Sequence, residues 1–143
     1  MRGFKGVAFA FLVFAAGAAQ PALAGGTPAP KGAEAYIIQP KDGAVVKSPV
    51  LVIFGLRGMG VAPAGVKVKK TGHHHLIIDA PLPDLHKMIP MTNHYIHFSG
   101  GETEALIQFQ PGKHTLQLLM GDAHHMATTP PVMSPVIHIT VVE

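Results

Sequence analysis

The chain has 143 residues, with 11 Lys and Arg against 8 Asp and Glu, and no cysteine. A length of this order supports one hydrophobic core and not two. The lack of cysteine excludes disulfides, thiolate nucleophiles and iron–sulfur clusters, and a charge so close to neutral offers no footprint for nucleic acid or an anionic membrane.

Arg2 and Lys5 precede an apolar run from Gly6 to Ala19, and Ala22 and Ala24 supply the small-residue pattern of a signal-peptidase site. Residues 1–24 are therefore read as a cleaved signal peptide, and the mature protein is expected in the periplasm or secreted, without a membrane span. Residues 25–34, rich in Gly, Pro and Ala, read as a flexible leader. The domain is expected over 35–143.

Ala35 to Gln39 is a short β-type run closed by Pro40-Lys41-Asp42-Gly43, whose Asp-Gly pair favours a tight turn. Pro49 to Leu56 reads as a mostly buried strand, and the glycines and proline from Gly58 to Gly65 make the next stretch a loop. Glu102 to Phe109 is a further strand. Leu116, Leu118 and Met120 alternate with Thr115 and Gln117, and Ile137, Ile139 and Val141 alternate with His138 and Thr140, so each run has one inward face. No helical periodicity is sustained after the signal. About seven short strands separated by Pro and Gly predict an all-β fold, an immunoglobulin-like sandwich.

All 10 histidines follow Ala24. Thr71 to Asp79 reads as a strand entered through Gly72, in which His73 and His75 share one face with Ile77 while His74 joins Leu76 and Ile78 on the other. Imidazoles two apart on a strand lie roughly 6.6 Å apart along it, close enough to converge on one ion at about 2.0 Å each. Two ligands seldom hold a metal alone. His97, in His94-Tyr95-Ile96-His97, and His125, in Asp122-Ala123-His124-His125-Met126, are the candidate partners, so the predicted metal set is His73, His75, His97 and His125. His74, His94, His124, Met126 and Asp122 are secondary candidates, Asp122 as an orienter of an imidazole. Imidazole with thioether points to copper first and zinc second, and affinity would fall as the rings protonate near pH 6. The competing reading is that the histidines tie down loops by hydrogen bonds. His86, His114 and His138 stand outside any cluster, and Met120, among core leucines, reads as packing.

At Gly72-His73-His74-His75-Leu76-Ile77-Ile78-Asp79 the chain resembles the small exported bacterial proteins of the domain of unknown function 4399 family. Phe54 to Gly65, Ile96-His97-Phe98, Gly101 to Glu104, Pro111 to Asp122 and Pro130 to Ser134 look like the same pattern. The resemblance implies an exported β domain and brings no activity. It also implies two departures, Tyr95 and Thr128 standing where relatives tend to place histidine.

The sequence thus predicts a non-catalytic periplasmic metal-binding protein. The alternatives are a metal-independent module that contacts another envelope protein, and a metalloenzyme superficially similar to copper–zinc superoxide dismutase. The last lacks the cysteines and much of the ligand pattern. No nucleic-acid partner is expected.

Overall fold

The computed structural model describes residues 26–143, and the expected signal peptide lies outside them. The described chain is all-β, without a helix: β1 (Glu34–Gln39), β2 (Val45–Lys47), β3 (Val50–Arg57), β4 (Gly60–Val61), β5 (Thr71–Ile78), β6 (Tyr95–His97), β7 (Glu104–Ile107), β8 (Gly112–Gly121) and β9 (Ile137–Val142). Nine strands stand where about seven are expected. The shortest, β2, β4 and β6, are two or three residues long, too short for hydrophobic alternation to announce them.

Two sheets form. A three-stranded sheet runs β1-β3-β7, and a six-stranded one runs β2-β9-β8-β5-β4 with β6 also on β5. The alternating faces explain how they pack. Leu116, Leu118 and Met120 of β8, Leu76 and Ile78 of β5, and Ile139 and Val141 of β9 share one buried cluster with Ala35, Val52 and Phe54 of the smaller sheet. The opposite face of the larger sheet is covered too. Ile77 and Leu119 pack there with Ile89 and Ala127, residues of the two long connections that follow β5 and β8. β5 is consequently buried on both faces.

Within the stretch expected as a leader, Thr27 and Ala29 hydrogen-bond to the chain after β8. The Ala29 amide donates to the Thr129 carbonyl at 2.9 Å, and the Thr129 amide to the Thr27 carbonyl at 3.0 Å.

The C-terminal end of β5 is fixed by a charged clamp. Asp79, at φ 50°, accepts the Thr115 amide at 2.7 Å and the His114 Nδ1–H at 2.6 Å, while His114 Nε2–H donates to the Gln110 carbonyl at 2.8 Å. Burial works against the charged ring, but with acceptors at both nitrogens the pKa of His114 is raised. The Asp79 carboxyl is opposed by burial and lowered by the same bonds.

The sign of the pH dependence follows. The clamp's stabilisation should be full between the unfolded values of 3.8 for Asp79 and 6.5 for His114. It fades as pH rises through the raised histidine pKa, and again as pH falls through the lowered aspartate pKa. Asp79→Asn should therefore cost roughly 1–2 kcal/mol in denaturant melts near pH 5.5 and less at pH 8.5; a cost independent of pH would show that the clamp is uncharged.

Candidate metal centre

Strand pairing assembles the site from four positions. Alternation along β5 turns His73 and His75 away from the inter-sheet core. β6 pairs antiparallel with β5 so that His97 stands directly opposite His75, and on the other side β8 sets Gly121 opposite His73. The chain leaving β8 folds back, Gly121 bridging Ala127, and carries His125 over the same face.

The four rings form one cluster. Centroids are 4.8 Å apart for His73–His75 and for His73–His97, 4.9 Å for His75–His97, 4.5 Å for His97–His125, 5.2 Å for His73–His125 and 6.5 Å for His75–His125. His73, His97 and His125 each offer a nitrogen such that the three lie within 4.8 Å of one another, a spacing that could hold a metal ion. His73 and His75 are fully buried, whereas His97 and His125 are half-buried and form the outer side.

Both ring nitrogens of His73 and of His75, Nε2 of His97 and Nδ1 of His125 are buried with no hydrogen-bond partner. Nitrogens so placed do not serve the loop-tying role that would make the histidines merely structural. Burial first, then the neighbouring imidazoles, pushes His73 down to about 4 and His75 to about 3. His97 is lowered by burial and by His125, against the opposing charge of Glu102. The rings of His73, His75 and His97 are thus held neutral at pH 7, the state in which an imidazole presents a lone pair.

The secondary candidates divide. His74 faces the inter-sheet core, 5.1 Å from the Phe54 ring and away from the cluster. His94 Nδ1 is engaged by the Ile78 carbonyl at 2.8 Å. His124 is exposed, and Met126 is half-buried opposite Met88 across an isolated antiparallel bridge. Asp122 is buried, but its carboxylate faces backbone: Oδ1 accepts the His124 amide at 2.8 Å and the Met126 amide at 3.1 Å, and Oδ2 accepts the Thr27 amide at 2.9 Å. It shapes the loop that presents His125.

His125 itself sits at φ 61°, a conformation that costs a non-glycine residue on the order of 1 kcal/mol. Its amide donates to the Asp122 carbonyl at 3.0 Å and its carbonyl accepts the Ile89 amide at 2.8 Å, so both neighbouring segments enforce it. At the two positions where the resemblance implies histidine in relatives, Tyr95 donates its hydroxyl to the Pro81 carbonyl, and Thr128 Oγ1 donates to the Pro130 carbonyl and accepts the Val132 amide.

Gly121 is a residue of the candidate site that the sequence reading missed. A Cβ there would lie 2.6 Å from His75 Cε1 and 3.2 Å from His73 Nε2, so only glycine leaves room for both rings. A glycine closing a long strand is the signal that could have found it, since such glycines mark close approach.

A family model described as Domain of unknown function (DUF4399) matches residues 52–142, from within β3 to the end of β9. No curated protein and no solved structure matches the chain.

The two kinds of buried histidine should separate on mutation. His74 carries two unpartnered nitrogens into an apolar core. His74→Leu should therefore stabilise the metal-free protein by roughly 1–3 kcal/mol in urea melts. Destabilisation of that size would mean that His74 has a polar partner in solution.

Proposed function

The chain belongs to the DUF4399 family, whose description assigns no activity, and from its own residues we propose that it is a non-catalytic periplasmic protein that binds copper or zinc through clustered histidines. The observation that carries this reading is the convergence of His73, His75, His97 and His125 with six buried ring nitrogens lacking partners. Three imidazoles, with the fourth beside them, make an all-nitrogen donor set. Among divalent first-row ions such a set binds copper most tightly, with zinc behind it. Calcium and magnesium, which require oxygen donors, are disfavoured.

Two features support a binding role over a catalytic one. Asp122, the buried acid beside the cluster, is held by three backbone amides, which suits it to shaping the loop and not to general-base work. The donors also sit on a sheet and on a loop fixed to it, a placement suited to holding an ion. Export rests on the charged and apolar pattern of residues 1–24, and the proposed architecture is an immunoglobulin-like sandwich whose larger sheet bears the site.

The test is metal content and affinity of the mature, untagged domain. One equivalent of copper or zinc should bind with Kd below about 1 µM. Replacing the half-buried pair, His97→Ala/His125→Ala, should weaken it by about 100-fold or more while the far-ultraviolet spectrum stays unchanged. The proposal fails if the parent binds neither ion stoichiometrically.

A further inference from the structure

A second, softer donor set borders the histidine cluster. Met88 and Met126 stand opposite each other in an antiparallel bridge, and Met126 follows His125 directly. Directly opposed residues of an antiparallel pair project to the same side, their Cβ atoms about 4.5–5.5 Å apart. Two flexible thioethers started from that spacing can close on one ion.

Packing does not account for Met88. Met88 is 58% exposed, in contrast to the core methionine Met120, which is 0% exposed. Three residues on, Met91 is likewise 58% exposed and lines a surface depression with Tyr95 and His97. Methionines therefore flank both half-buried histidines of the cluster. The backbone fixes this proximity, because the Ile89 amide that follows Met88 donates to the His125 carbonyl at 2.8 Å.

We propose that Met88 and Met126 form a thioether site for a soft monovalent ion, cuprous copper in the envelope, at the rim of the histidine cluster. The donor chemistry sets the division. Thioether sulfur selects the reduced, polarisable ion and binds zinc or cupric ions poorly, whereas imidazole takes those well. Met91, beside His97, extends the same soft surface. The inference goes beyond the proposed histidine site and does not require it, since the two sites use different atoms and prefer different ions.

Silver(I), a redox-inert monovalent ion of similar softness, is the probe. In protein labelled at the methionine methyl carbons, one equivalent of silver should shift the Met88 and Met126 methyl resonances and leave that of Met120 in place. Met88→Leu/Met126→Leu should lower silver affinity by about tenfold or more and leave zinc affinity within about twofold. In His97→Ala/His125→Ala, silver should still shift both methyl groups. Unmoved resonances, or silver affinity unchanged by the leucine pair, would overturn the thioether site. Absence of zinc and cupric binding in the parent would overturn the histidine site alone.

Discussion

A strand buried on both faces must find apolar or polar partners for every side chain, and β5 carries three consecutive imidazoles through such a position. The pleat sends His74 inward among Leu76, Ile78 and Phe54, and sends His73 and His75 outward. What lies on that outer side is not water but the connections after β5 and β8, held by Ile77, Leu119, Ile89 and Ala127. The apolar contacts that bury this face also remove solvent from the His73 and His75 rings. Their low basicity follows from this single circumstance before any neighbour is counted, since burial is its largest cause.

The same cover explains how a loop residue becomes as well placed as a strand residue. His125 lies outside any strand, yet its amide and carbonyl are both used, one by Asp122 and one by Ile89. Asp122 anchors the loop further through three amides, one of them from Thr27 near the start of the described chain. The start of the described chain and the connection after β5 thus converge on one turn. The positive φ of His125 is retained because these bonds over-determine it, and strain held in this way commonly accompanies positions where a side chain must be aimed.

Much of this was legible in sequence because alternation is a local property. The inward faces of β8 and β9 and the separation of His74 from His73 and His75 follow from period two alone. The partnership with His97 was legible only as chemistry, a histidine near a strand end. Its register opposite His75 depends on how the connection from Asp79 to His94 returns the chain, and nothing in the composition of that stretch encodes it. Gly121 and Asp122 illustrate the remaining limit. Both residue types pointed to a special position, but glycine makes room for rings donated by a strand some fifty residues earlier, and the aspartate binds amides where an imidazole partner was expected. Long-range register decides such roles, and a single sequence carries register weakly where strands are two or three residues long.

The magnitude of the unmet hydrogen bonding bears on why such a cluster persists. A buried polar atom left without a partner costs roughly 1–3 kcal/mol. The six partnerless nitrogens of the cluster would together rival the roughly 5–15 kcal/mol by which whole domains are stable. An apolar substitution at any of these positions would remove the cost, so the imidazoles are a poor choice for packing alone. On the proposed reading a bound ion takes one lone pair from each ligating ring, and its binding energy adds to that of folding. Structural zinc contributes on the order of 10 kcal/mol in small domains, the size of effect needed to offset this burial. The proton on each ring's other nitrogen still has to be accommodated, and it is more readily so at His97 and His125, where water reaches part of the ring, than at His73 and His75. On that reading the unmet polar cost is greatest at the fully buried His73 and His75, and the half-buried His97 and His125 form the side of the cluster that solvent can reach.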